Sequence, residues 1–206
     1  MATAQPAATS RWTTKKVLTV GGVGLVAALL IAVGVGFAAS KRVSGSGMRP
    51  TLHGGNRVLI DTSAYHGRNP GRFDVAGLHA PGIHGVTILR VIGLPGDRVQ
   101  IRSVGGQPQV LLQPAGRGAW QIVTAHRHID WGASPKVCCG PNGAAAAGSA
   151  QTVPAGKYFV LGDNPTASDD SRKFGFVDRS EFTGRVSFRV WPPGSVGGRP
   201  KLVPLR

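Results

Sequence analysis

Residues 17–39 contain no charged side chain and are built from Val, Leu, Ala, Ile, Gly, Phe and a single Thr. A helix of this length, rising 1.5 Å per residue, matches the hydrocarbon core of a bilayer, roughly 30 Å thick. Gly21, Gly22, Gly24, Gly34 and Gly36 would weaken such a helix in water. In lipid the helix survives, because each unpaired backbone group would cost several kcal/mol. A cleaved secretory signal would have an apolar stretch of about 7–15 residues, and this one is longer. Arg11, Lys15 and Lys16 precede the run, and Lys41 and Arg42 follow it. The bias slightly favours a cytoplasmic N-terminus. The expectation is a cytoplasmic tail over 1–16, an uncleaved transmembrane helix over 17–39, and an exterior domain over 40–206 at the plasma membrane.

The chain carries a net charge of +15, and Glu181 is its only glutamate. A nucleic-acid partner would call for a basic run or a binding motif. The basic residues are instead scattered, so nucleic acid is set aside. A domain tethered beside anionic lipid gives that charge a simpler counterpart. The two cysteines, Cys138 and Cys139, are adjacent, a spacing that rarely meets disulfide geometry without strain. With His126 and His128 upstream they could be read as metal ligands. Zinc ligands come in better-spaced pairs, so these residues are read as loop and no metal is expected.

After a connector at 40–46 the pattern is mainly β. Residues 57–61, 86–92, 97–101, 108–112, 157–161 and 184–191 are β-branched or aromatic runs bounded by Gly and Pro. No soluble stretch keeps a helical period with caps. Residues 103–152 are rich in Gly, Ala and Pro and read as a variable insertion with one hairpin. The Pro- and Gly-rich tail, 192–206, is expected to run along the surface.

Three separated motifs carry the chemistry. They are Val43-Ser44-Gly45-Ser46-Gly47-Met48-Arg49-Pro50-Thr51-Leu52, then Leu89-Arg90-Val91-Ile92-Gly93-Leu94-Pro95-Gly96-Asp97, then Gly162-Asp163-Asn164 continuing through Ser168-x-Asp170-Ser171-Arg172 to Gly175 and Val177. In this order and spacing they resemble the motif set of type I signal peptidases, in particular the Gram-positive pattern. The resemblance covers about 43–101 and 153–191, with the N-terminal anchor. It implies an antiparallel, barrel-like β domain that removes signal peptides from exported preproteins with a Ser nucleophile and a Lys base. It implies no metal or nucleotide cofactor.

Two positions depart from that pattern. The family's nucleophile precedes Met, where this chain has Gly47. Its base opens the second motif, where this chain has Leu89. A hydroxyl needs a base to become a nucleophile, and a lysine serves only if burial lowers its pKa. The apolar run around Leu89 suits such a lysine, but leucine accepts no proton. Sliding the register by one would make Ser46 the nucleophile, at the cost of an extra residue in a tight loop where attack geometry tolerates little displacement. Lys41, Lys136, Lys157, Lys173 and Lys201 all fall away from the base position. By the resemblance, Ser168 supports the base, Asp170 and Arg172 hold the site together, and Met48 and Pro50 belong to the substrate groove. Smaller departures are Gly55-Asn56 and Phe73-Asp74, where the family has Gly-Asp. The expected function is therefore a signal-peptidase-like membrane protein, catalytically impaired, that still binds signal peptides. Membrane lipid and an active paralogue are its further expected partners. The alternative is an active serine endopeptidase using Ser46.

Overall fold

The computed structural model describes residues 12–105, 107–124, 149–196 and 200–205. The chain divides into two compact units, 1–39 and 40–206. The first holds helix α1, Trp12–Ala39. Its side chains are described from Gly24 onward, and among the described residues no helix is long and apolar enough to cross a membrane. Leu25, Val26, Leu29, Leu30, Ile31 and Val35 are all exposed on it.

The second unit is mainly β, with antiparallel pairing throughout. Its strands are β1 (Lys41–Arg42), β2 (Arg57–Asp61), β3 (Val75–Leu78), β4 (Thr87–Gly93), β5 (Arg98–Val104), β6 (Gln107–Gln113), β7 (Gln121–Thr124), β8 (Gln151–Thr152), β9 (Lys157–Leu161), β10 (Val177–Asp178), β11 (Phe182–Trp191), β12 (Gly194–Ser195) and β13 (Lys201–Pro204). One sheet runs β1-β2-β11-β3-β4-β9-β10, with β12 on β11; the other runs β13-β7-β6-β5-β8. A short α-helix, α2 (Ser171–Phe174), starts at Asp170, whose carboxylate accepts the Arg172 amide.

Three apolar clusters hold these layers. Ile92, Val99, Val110, Leu112, Phe159 and Leu161 join the two sheets, and Leu78, Leu89, Val91, Tyr158 and Val160 fill the middle of the larger one. Val43, Met48, Leu52, Val58, Val75 and Val186 form the third, beneath the loop that carries the first motif.

The expected strands at 57–61 and 157–161 appear with those bounds. The described residues of 103–152 hold more than one hairpin: the end of β5 and all of β6, β7 and β8, which with β13 make up the second sheet. The tail is mostly exposed along β13, at the edge of that sheet, and is also paired there, with β7 along Lys201–Pro204. Backbone amides of a Pro-flanked segment still need partners, and the open edge of β7 supplies them. Residues 125–148, including Cys138, Cys139, His126 and His128, lie outside the described residues.

Candidate active-site groove

The first motif folds as a turn pinned from below. Met48 and Leu52 are buried in the third apolar cluster, and the Leu52 amide donates to the Met48 carbonyl at 2.8 Å. This fixes the turn from its buried end at Met48 and leaves Ser46 and Gly47 half-buried at its crest. The third motif clamps the crest from the side. The Asn164 amide donates to the Gly47 carbonyl at 2.8 Å, and Asn164 Nδ2 donates to the Ser46 carbonyl at 3.1 Å.

Beside Asn164, Asp163 is buried and pairs with Arg90. Arg90 Nε and Nη2 donate to its two carboxylate oxygens at 2.8 and 2.6 Å. The Thr51 hydroxyl donates to the same carboxylate. Arg90 also donates to the Phe73 carbonyl at 3.1 Å. One buried, bidentate pair therefore ties all three motifs together. Removing either partner would strand a charge, at a cost of about 3–5 kcal/mol. Arg90, Asp163 and Asn164 stand in the motifs, but nothing local in the sequence shows that they meet.

Asp170 and Arg172 form a second buried pair, with Arg172 Nη2 2.6 Å and Nε 2.8 Å from the carboxylate. Asp170 also accepts the Gly162 amide at 3.0 Å, and Ser171 Oγ accepts the Val160 amide at 2.9 Å. The segment carrying Ser168 is thereby held against the end of β9. A Cβ on Gly162 would lie 2.1 Å from Ser168 Oγ and 2.6 Å from the Gly47 carbonyl oxygen. Glycine is required there because Ser168 and the Gly47 backbone both press on that spot.

A groove of about 240 Å³ opens over this arrangement, lined among others by Ser46, Gly47, Met48, Ile88, Leu89 and Ser168. Gly47 and Leu89 face it together. A Cβ built on Gly47 would lie 3.5 Å from the Ser168 Cβ and 3.3 Å from the Ala167 carbonyl oxygen. Leu89 is only 2% exposed. No lysine is among the described residues lining the groove. Lys173 is exposed and paired with Asp169 at 2.8 Å, and Lys157 is paired with Asp178. Ser46 lines the groove beside Gly47. Pro50 follows a cis peptide bond in the turn and is not among the lining residues.

One strand lining the groove is only partly paired. β4 pairs with β3 along Thr87–Leu78 to Arg90–Val75, but with β9 only from Arg90 onward. Residues 87–89 thus have no strand partner on their second side among the described residues, and all three line the groove.

The remaining departures have visible partners. Asn56 Oδ1 accepts the His53 amide at 2.9 Å. Phe73 has φ +70°, a left-handed conformation that favours glycine, so the family's glycine is explained and the phenylalanine is strained. Its ring packs against the cluster between the sheets. Asp97, which closes the second motif, is buried. It accepts from Arg72 at 2.6 Å, from the Leu94 amide at 2.6 Å and from the Ala115 amide at 2.8 Å, tying the turn to the second sheet.

Comparison with known proteins shows which family the chain belongs to. The family described as "Signal peptidase, peptidase S26" matches residues 16–191. Signal peptidase IB of Staphylococcus aureus is 32% identical over 169 residues, 80% of this chain and 83% of that protein. Signal peptidase I of Leptolyngbya laminosa is 29% identical over 183 residues, 85% of this chain and 79% of that protein. A crystal structure of a signal peptidase I from Enterococcus faecalis V583 is 30% identical and covers 58% of this chain and 98% of that one, with a TM-score of 0.38. The chain belongs to the signal peptidase family, peptidase S26.

Proposed function

We propose that this protein is a membrane-anchored, signal peptidase I-like receptor that binds the signal-peptide segment of exported preproteins and does not cut it. The observation that carries this reading is the pairing of Gly47 with Leu89 on one groove. Gly47 and Leu89, which the motif resemblance puts at the nucleophile and base positions, both line that groove, and neither side chain can act as nucleophile or base. The unpaired side of residues 87–89 supports the binding half, because an extended peptide can add there as a strand through backbone hydrogen bonds. Ser168 supplies a hydroxyl beside that path, Asp170 and Arg172 hold it in place, and Met48 shapes the floor.

The anchor is α1, with residues 1–16 cytoplasmic and 40–206 exterior at the plasma membrane. The uncharged run over 17–39 and the exposed side chains of Leu25, Val26, Leu29, Leu30, Ile31 and Val35 support it. Membrane lipid is then a standing partner, and an active paralogue is the natural consumer of the bound preprotein.

The test is photocrosslinking of a preprotein to the purified full-length protein in lipid, alongside assay of mature-product release. Crosslinks at residues 87–89 without product support the receptor. Absence of crosslinks leaves a purely structural partner of another peptidase. Product release abolished by Ser46→Ala would establish the rival reading, an endopeptidase with Ser46 as displaced nucleophile.

A further inference from the structure

The crest of the first motif holds two backbone donors that the fold leaves unused. Its carbonyls at Ser46 and Gly47 are engaged. The Ser46 carbonyl accepts the Arg49 amide at 3.1 Å and Asn164 Nδ2 at 3.1 Å, and the Gly47 carbonyl accepts the Asn164 amide at 2.8 Å. A trans peptide unit is planar, with its N–H pointing opposite to its C=O. The amides that share those two units, on Gly47 and Met48, are therefore turned away from Asn164. No described group accepts either of them. Gly47 and Met48 line the groove and Asn164 does not, so the pair of donors opens toward the groove. Unused backbone amides are rare in a fold, and two successive ones turned to the same side suit an anionic oxygen.

The side chain missing from Gly47 decides which anion fits. A Cβ there would lie 3.3 Å from the Ala167 carbonyl oxygen and 3.5 Å from the Ser168 Cβ, so any side chain would crowd the space between the crest and Ser168. Glycine leaves that space open. A peptide that ends in the groove carries one oxygen more than the same peptide running through it, because hydrolysis adds water across the bond and leaves a carboxylate. The open space takes the added oxygen, and the two amides meet its charge. The charged lining agrees. Arg42 and His84 are on it, and its one carboxylate, Asp169, is already paired with Lys173 at 2.8 Å. Leu89 offers no charge to the anion, which leaves the backbone donors as its main partners.

We propose that the groove captures the free C-terminal carboxylate of a signal peptide that has already been cut, through the backbone amides of Gly47 and Met48. The inference rests on the receptor reading and narrows its ligand. Hydrolysis by an active peptidase must supply that ligand, so the protein acts after the cut. A preprotein bound whole is exchanged for a product held more tightly. Hydrogen bonds to a charged acceptor are roughly twice as strong as neutral ones, so two of them favour the acid over an uncharged end by about tenfold or more. Backbone capture of a peptide carboxylate is a recurring recognition mode.

The test is a fluorescence-polarisation titration of the purified full-length protein in lipid nanodiscs with three labelled peptides. One is the C-terminal part of a signal peptide with a free carboxylate, the second is the same peptide with a C-terminal amide, and the third continues uncut into the mature sequence. The expected result is that the acid binds about tenfold or more tighter than the other two. Gly47→Ala, which fills the space for the added oxygen, should bring the ratio of acid to amide affinity toward one. Arg42→Gln should lower the same ratio by a smaller factor, and it stands in if Gly47→Ala fails to fold. Equal affinity for acid and amide, or tighter binding of the uncut peptide, would overturn the inference and leave the receptor standing. A ratio unmoved in a folded Gly47→Ala protein would overturn the assignment to the crest. Binding of none of the three peptides would sink the receptor reading, and the inference with it.

Discussion

Rebuilding the reacting pair tests the receptor reading most directly. The variant is Gly47→Ser combined with Leu89→Lys, studied beside each single change and the native chain. At position 47 the backbone is compatible with a side chain, since its φ is not left-handed, and the new Cβ needs only a few tenths of an ångström from the Ala167 carbonyl. At position 89 the cost is electrostatic. A lysine there replaces a side chain that is 2% exposed, so its ammonium is disfavoured. Holding it neutral at pH 7 against an ordinary value of about 10.4 costs about 4–5 kcal/mol, at 1.36 kcal/mol per pH unit. That is a large part of a stability of about 5–15 kcal/mol, so the variants should fold with visibly lower urea midpoints. The same desolvation makes the amine a base near neutrality. Either change alone should yield almost no product, because a hydroxyl without a base and a base without a hydroxyl are both inert. The double variant should exceed either single by orders of magnitude, and its rate should rise with pH as the lysine loses its proton. The assay is release of mature protein from a preprotein, after circular dichroism has confirmed folding. Four folded but equally inactive proteins would refute the reasoning, because the groove would then lack the geometry to present a peptide bond. Cleavage by the native chain would refute it from the other side.

Arg90→Met should destabilise the protein by about 3–5 kcal/mol in urea unfolding, because it leaves Asp163 charged and buried; the paired change with Asp163→Leu should recover part of that loss. Gly162→Ala should cost about 1–3 kcal/mol and weaken signal-peptide crosslinking, since its methyl group collides with Ser168 and displaces the Gly47 carbonyl. Burial, with Asp74 beside it, raises the Tyr65 phenol above its ordinary value of 10.0. Below pH 10 the phenol is protonated in both folded and unfolded chains. Above it only the unfolded chain releases the proton, so stability falls as pH rises, and Tyr65→Phe should make thermal unfolding less steeply dependent on pH beyond 10.

The family and the mainly β character of the domain after residue 40 were legible in the sequence, which also raised the expectation that Gly47 and Leu89 replace the reacting groups. These are local properties. A motif is read along the chain, and a β-branched run bounded by Gly and Pro shows extended backbone wherever it ends up. Partner choice was not legible. β11 pairs with β2 and β3, each separated from it by over a hundred residues, and β13 completes a sheet from a segment whose prolines suggested a surface tail. Residues 103–152 looked loop-like because their Gly and Pro content masks strands that depend on neighbours for stability. At the site, the motifs named Arg90, Asp163 and Asn164, but only the tertiary structure joined Arg90 to Asp163 and hung Gly47 from Asn164. Phe73 shows the same limit on a single residue. Its place where glycine is usual was visible in the sequence, while the left-handed φ that explains the glycine, and the cluster contact that retains the ring, exist only once the sheets are packed. Side-chain identity is written along the chain. The distance between two side chains is set by the burial and backbone pairing of everything between them.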